Sequence, residues 1–510
     1  MGLHGPLDDN RDMMDDDGRP AGRRRSRFRP ALAFGLLVLT ATAPLRGQQT
    51  EPITLQQAID LALSQGYVAR AAHATREAAR YQDRAFYSRL LPQILLGGTV
   101  PAYNRSIIQV VQPDGSTLFR PQDQTNATAT MTMTQRLPIT GGDFFVSSSL
   151  ARLKVSGSQS IKTWSSTPVS FGLRQSLLRP NATAWDHREQ PLRFEVAERQ
   201  FLEAREDIAL ATANLFFDLY AARMALDNAV KNAAVNDTLY TLNKGRFEVG
   251  KIGENDLLQS ELALLRSRTT LDGARLEFDR AAAALRLALN LPVGAPLTIA
   301  VTAQVPEFEA DTARAVAEAL RNRSSVSDVA LQDVQTRRRV TEAKLATGVG
   351  AFISASYGFN ATAPEVSNVY QNLLEARQFS LAVQVPLLGW GAHKEGVQAA
   401  EADRERVTSL AQITLQQTAQ DAHFAALGLS QARRNLVLSA KGDTVAAKRF
   451  EVAYNRYVIG RIAIDNLYVA QNEKDQALSQ FVQSLRGYWQ AYYRLRRVTL
   501  FDFAAGEPIH

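Results

Sequence analysis

Arg246-Phe247-Glu248-Val249-Gly250-Lys251-Ile252 returns about 210 residues later as Arg456-Tyr457-Val458-Ile459-Gly460-Arg461-Ile462, with Leu257 and Leu467 in matching register. Each copy sits between two long Ala-rich stretches of helical pattern. A glycine at that point supplies the left-handed conformation that ends a helix abruptly, so each copy reads as the turn of a helical hairpin. A period this long exceeds any solenoid repeat and marks a duplicated half-protein. Each half has the plan helix, strands, long helix, tight turn, long helix.

The rods flanking these turns are long. From Pro191 to Lys244 there is no further Gly or Pro, and Ala197, Phe201, Ala204, Ile208, Ala211, Leu215, Leu219, Ala222 and Ala225 recur every three or four residues. At 1.5 Å per residue that run makes a rod of about 80 Å. Its partner spans about Asn255 to Leu289. The second pair spans Ala392 to Tyr457 and Asp465 to about Arg497. Shorter helices precede the strands. Thr54 with Gln57 forms a capping box that opens a helix reaching about Leu90, and a second is expected over 311–346.

The texture between these helices is strand-like. Thr128, Thr130, Thr132 and Thr134 alternate with Ala129, Met131 and Met133, which gives one polar and one apolar face. Ile94-Leu95-Leu96, Phe144 to Leu150, Val169 to Leu173, Phe352 to Phe359 and Phe379 to Val385 are also strand-like, and Leu297 to Val301 is a weaker candidate. Two-sided alternation suits a membrane β-barrel and equally an ordinary soluble sheet. The division expected is therefore a first repeat over 49–300, with strands at about 93–178 and a hairpin at about 183–290. A second repeat covers 301–503, with strands at about 350–388 and a hairpin at about 392–498. A disordered tail is expected over 504–510.

Composition narrows the class. Among 510 residues, 45% are apolar and 21% charged, which excludes wholesale disorder. Net charge is +7, but much of the excess is the cluster Arg19, Arg23, Arg24, Arg25, Arg27 and Arg29, so no nucleic-acid partner is indicated. That cluster precedes the apolar run Ala31 to Ala43, and residues 1–48 read as a disordered leader with a secretory signal. The absence of cysteine removes disulfides, thiolate metal sites and a lipidated N-terminal Cys. The six histidines are scattered without metal-ligand spacing, and neither a nucleophile elbow nor a phosphate loop is present. The reading is of a non-enzyme with no cofactor. His187 beside Trp185 and Asp186 reads as a seam residue between strand and helix. Trp390 is expected to pack at a strand-to-helix corner, and Tyr357 with Phe359 fits an interfacial aromatic belt.

With the opening Leu55-Gln56-Gln57-Ala58-Ile59-Asp60-Leu61-Ala62-Leu63, the entry Leu90-Leu91-Pro92-Gln93, the corner Gln384-Val385-Pro386-Leu387-Leu388-Gly389-Trp390-Gly391 and the Gly250 and Gly460 turns, the chain resembles the outer membrane efflux protein family of TolC-like channels. The likeness runs from Thr54 to Phe503. It implies an α+β membrane protein: long antiparallel helical hairpins forming a periplasmic α-barrel, with strands contributing to a shared transmembrane β-barrel of a homotrimer. It implies an outer membrane location reaching into the periplasm, and a passive exit duct fed by an inner-membrane RND or ABC transporter through a periplasmic adaptor. Type I protein secretion uses the same outer component, and a non-transport adaptor or structural coiled coil is the more distant alternative. By position, Val249, Gly250, Lys251, Ile459, Gly460 and Arg461 match the family's adaptor-docking tips. Asp256, Arg461, Asp465 and Asn466 are the candidate periplasmic gate, with Arg461 and Asp465 alternatively a local ion pair. One departure stands out: the first half holds more strand-like sequence than two strands need. Residues 125–160 are expected to form an extra hairpin, either extending past the membrane or adding strands to the wall.

Overall fold

The computed structural model describes residues 52–509 apart from 158, 159, 303 and 347. The leader and secretory signal expected over 1–48 lie outside the described residues. Helix α1, Leu55–Gln65, starts with the capping box as read: the Gln57 amide donates to Thr54 Oγ1 at 3.3 Å and the Thr54 amide to Gln57 Oε1 at 2.9 Å. It does not run on to Leu90. Gly66 is extended, and α2, Tyr67–Arg89, begins as a separate helix. Only glycine fits this junction, because a Cβ at Gly66 would lie 2.4 Å from the Ala62 carbonyl oxygen.

Six strands then form one antiparallel sheet in sequential order: β1 Gln93–Val111, β2 Thr117–Arg136, β3 Asp143–Ser156, β4 Ile161–Leu177, β5 Gly350–Ala363 and β6 Leu374–Gln384. The first half therefore supplies four strands and the second half two. Of the two outcomes expected for 125–160, the segment takes the second, adding most of β2 and all of β3 to the sheet. The extension past the last β2–β3 pair, Asp123 with Ser156, is made instead by Ser106 to Gln122 of the β1–β2 hairpin, outside that segment. Among the described residues, β1 and β6 are each paired along one edge only.

The rods leave the sheet in the other direction. Helix α3 is Ala182–Glu248, and its partner α4 is Glu254–Ala288. Pro191 lies inside α3 and does not start it, because Asn181 caps the helix earlier by accepting from the Ala184 amide at 2.9 Å. After α4, Ile299 makes an isolated parallel bridge with Ile53, so the expected strand at Leu297 to Val301 is reduced to one contact. The expected helix over 311–346 is also two: α5 Thr312–Asn322 and α6 Ser324–Ala346. The break at Arg323 is held from α3, where Glu203 accepts from the Ser324 amide at 2.9 Å and from Arg323. The last rods are α7 Ala392–Val458 and α8 Ile464–Thr499. Residues after Phe503 fold back in place of the expected disordered tail, with β7 Phe501–Asp502 pairing β8 Glu507–Pro508.

The rods stand four abreast at every level. Nearer the sheet, α3 packs between α2 and α6, and α6 against α7; nearer the tips, α3 packs between α4 and α8, and α8 against α7. At 67 residues each, α3 and α7 are about 100 Å long. A wall one helix thick buries little, and the main apolar core is a belt where α1, α5 and the C-terminal hairpin wrap the rods. Phe216, Phe217, Leu285, Leu289, Leu485 and Tyr488 are buried there. Burial pushes the Tyr488 hydroxyl up to about 12. Beside the belt, Arg496 donates from Nε and Nη2 to both Glu206 oxygens at 3.0 and 3.2 Å and also meets Asp502. Burial alone would lower the Arg496 pKa, but its hydrogen bonds and charge contact with Glu206 hold it above the ordinary value.

Candidate functional site

The sheet has two chemically opposite faces, and pairing register fixes which residues share each one. One face carries Ile94 and Leu96 of β1, Met131 and Met133 of β2, and Val146 and Leu150 of β3. It continues through Phe171 and Leu173 of β4, Tyr357 and Phe359 of β5, and Phe379 and Leu381 of β6. The other carries Thr128 to Thr134 at alternate positions, Ser147, Ser149, Ser170, Gly172, Ser354, Ser356, Gly358 and Ser380. Many of the large apolar side chains of the first face lie exposed, Ile94, Leu96 and Phe379 at 70% or more. A patch of that extent marks a surface that faces lipid or another chain and not bulk water. Tyr357 meets Phe171 at a tilt and Phe359 edge-on, at 5.5 and 5.6 Å, on the apolar face; its position opposite Phe171 is within the apolar band and not at the interfacial edge expected for it. Trp390 does not pack into its corner. Backbone φ values of 50° at Trp390 and 85° at Gly391 turn the chain sharply, and the indole is 89% exposed. His187 lies not in the expected seam of strand and helix but between two helices, its α3 ring against Phe86 and Tyr87 of α2.

At the far end of the rods the two turns are built alike. The Lys251 amide donates to the Arg246 carbonyl at 2.8 Å and the Gly250 amide to Phe247 at 2.9 Å; Arg461 to Arg456 and Gly460 to Tyr457 repeat both bonds at 2.9 Å. This is the Schellman closure, with Gly250 at φ 68° and Gly460 at φ 74°. Val249, Gly250, Lys251, Ile459, Gly460 and Arg461 are all exposed at the tips. The two tips are tied side by side: Arg246 donates to the Val458 carbonyl at 2.8 Å and the buried Tyr457 hydroxyl to Asn243 at 2.6 Å. Asp256 lies half-buried in the first turn of α4, and Asp465 and Asn466 are exposed in the first turn of α8. Asp465 accepts from Gln259 of the other hairpin at 2.5 Å, and the alternative Arg461–Asp465 pair is not formed.

The lateral edges of the rod layer carry a signal that the sequence reading did not isolate. On α7, Leu438, Val445 and Val452 recur every seven residues, with Ile459 seven further at its C-cap, and all lie exposed; on α4, Leu258, Leu262, Leu265 and Leu276 lie exposed at alternating heptad positions. Stripes of this spacing on two opposite edges are suited to coiled-coil packing against a further helix. Among the described residues no group of His, Cys, Asp and Glu is placed to hold a metal, and no helix is long and apolar enough to cross a membrane.

No family model and no curated protein matches the sequence. Solved structures do match by shape. The Campylobacter jejuni CmeC outer membrane channel aligns at TM-score 0.65 and 16% identity, over 89% of this chain and 86% of its own. The Vibrio cholerae outer membrane protein VceC aligns at TM-score 0.63 and 13% identity, over 89% and 97%. The open state of the Neisseria gonorrhoeae MtrE outer membrane channel aligns at TM-score 0.60 and 14% identity, over 89% and 90%. Identities this low speak to fold alone, and on that level the two-faced sheet and the paired rods agree with them: this chain has the TolC-like outer membrane channel fold.

Proposed function

We propose that three copies of this chain close into one tube that crosses the outer membrane through its strands and the periplasm through its rods. The tube serves as a passive exit duct for solutes delivered by an inner-membrane pump through a periplasmic adaptor. The observation that carries this is the sheet: an apolar outer face, a hydroxyl-lined inner face, and two edges that lipid does not tolerate unpaired. Copies side by side satisfy β1 with a neighbour's β6 and the α4 stripe with a neighbour's α7 stripe. Those stripes run antiparallel at matching heights, Leu258 near Val452 and Leu276 near Leu438, counted from the tips.

The tips dock the adaptor in this reading, with Val249, Gly250, Lys251, Ile459, Gly460 and Arg461 presented to it. Asp256, Arg461, Asp465 and Asn466 lie at the narrow end, where three Asp465 carboxylates make an anionic ring that favours cations. The decisive experiment is shape and mass of the detergent-solubilised protein, followed by conductance in planar bilayers. A threefold particle longer than roughly 100 Å that conducts supports the duct. A water-soluble single copy that leaves bilayers silent refutes it. Asp465→Ala separately tests the ring: unchanged ion selectivity removes Asp465 from the gate. Gly460→Pro tests docking, since it alters a tip far from the sheet, and undiminished adaptor binding refutes that role.

A further inference from the structure

The apolar band of the sheet has a sharp upper edge. Along β3, the residues Phe144, Val146, Ser148 and Leu150 share the outer face, and the next two on it are Arg152 and Lys154. Directly opposite on β4 stand Trp164 and Lys162. The two faces exchange character at this height, because Leu153 and Val155 now point inward with Ile161. The strands therefore leave the hydrocarbon between Leu150 and Arg152, on the side away from the rods.

Three cations meet at that edge. Arg152 lies over the Trp164 ring at 5.5 Å, and Lys154 and Lys162 face each other as a cross-strand pair. All three are exposed, and none is in an ion pair with a carboxylate. On the same face beyond Lys154, Asp123 is taken by Arg105 at 3.5 Å and by the Tyr103 hydroxyl at 2.7 Å. Two lysines directly opposite on one face repel each other, a cost that a bound anion removes.

We propose that Arg152, Lys154 and Lys162, with Trp164 as the interfacial anchor, bind the phosphate groups of a phosphorylated lipid in the outer leaflet. The inference rests on the membrane reading above and names the partner of its outer surface. Position argues for a lipid: along β3 the cluster directly follows the apolar band, so acyl chains lie against Val146 and Leu150 while the headgroup reaches the cations; on β4, Ser166 opposite Leu150 is covered by Val369 of the β5–β6 loop. Charge argues for phosphate, since three unpaired cations within two cross-strand pairs complement a multiply charged headgroup. An aromatic ring at the same height is the usual interface marker.

The test uses the full-length assembly in detergent micelles, probed with bis-phosphorylated lipid A, with phosphatidylethanolamine and with inorganic phosphate, read by native mass spectrometry. Bis-phosphorylated lipid A is expected to stay bound at low salt and be displaced by high salt. The combined substitution Arg152→Gln, Lys154→Gln and Lys162→Gln is expected to weaken it on the order of 100-fold, about fivefold per cation lost near an anionic surface. Lys162→Glu alone gives the opposite signs: it relieves the repulsion with Lys154 and raises thermal stability without lipid, yet it weakens lipid binding. Equal retention of phosphatidylethanolamine, displacement by millimolar inorganic phosphate, or undiminished binding by the triple variant overturns the proposal. Insertion and conductance of the unaltered protein are measured first. Their failure counts against the membrane reading, whereas a conducting protein indifferent to lipid A counts against the phosphate site alone.

Discussion

Two neighbouring residues on β4 decide which way the sheet faces. Phe171 sits mid-band on the apolar face, opposite Val146 and Tyr357; Ser170 points the other way, between Ser147 and Gly358. Placing Arg at position 171 puts a cation against hydrocarbon, which costs about 2–4 kcal/mol at mid-membrane depth. It also removes the ring contact with Tyr357 at 5.5 Å, worth about 0.5–1.5 kcal/mol. Together Phe171→Arg is expected to destabilise each inserted chain by about 3–5 kcal/mol. At Ser170 the new side chain enters water beside a glycine, and the change stays within about 0.5 kcal/mol. The assay is refolding from urea into phosphatidylcholine vesicles, comparing the midpoints of both variants with the unaltered chain. If Ser170→Arg fails to insert while Phe171→Arg inserts normally, the faces are reversed and the duct reading goes with them. If both insert normally, the sheet does not lie in hydrocarbon at all.

Three further expectations address the rest of the molecule. Leu265→Glu on the α4 stripe should weaken each seam by about 1.5–3 kcal/mol and dissociate the assembly on native gels; adding Val445→Lys on the facing α7 stripe should restore it. Glu206→Ala removes one of the two carboxylates that meet the Arg496 guanidinium, leaving Asp502, and a cost of about 1–3 kcal/mol should appear as a lowered unfolding midpoint, with Glu206→Gln intermediate. Asn181→Asp keeps the cap on α3 but loses the two amide donors to Pro138 and Ile139, at 2.8 and 3.1 Å. It should therefore leave helix content unchanged while raising protease cutting at the β2–β3 turn.

The helical half of this fold was legible because its signals are local. A glycine at +68° or +74° ends a rod wherever the rod sits, and a Thr–Gln capping box needs only four residues. The breaks at Gly66 and Arg323 were not legible, since a single glycine does not by itself end a helix and the other break is held by Glu203 more than a hundred residues away. Pro191 misled for a related reason: a proline reads as a start, but Asn181 had already nucleated the helix. Of the site residues, the tips could be read from the repeat. The seams could not be isolated, because Leu438 or Leu265 looks like any other helix leucine until packing shows that nothing in its own chain covers it. The cations at the top of β3 and β4 were equally silent. Only the register brings Lys154 opposite Lys162.

The added hairpin has a geometric consequence that settles whether it is ornament. Four rods abreast at about 9–10 Å spacing occupy roughly 36–40 Å of wall. Six strands about 4.8 Å apart and tilted by about 40° occupy roughly 38 Å, whereas four such strands cover only about 25 Å. With β2 and β3 in place, each copy is as wide in its sheet as in its rods, so the proposed trimer would close along both without a step. The join is secured where the two widths must agree. The β2–β3 turn rests on Asn181 at the very start of α3, and Gln135 reaches back to the Leu90 carbonyl at the end of α2. Removing those strands should therefore pinch the tube at its neck rather than merely shorten a loop. Deleting 123–156 with a short Gly-Ser join should then leave a threefold particle whose rods are unchanged and whose membrane segment conducts less. Equal conductance would mean that the narrowest passage lies elsewhere, at the tips.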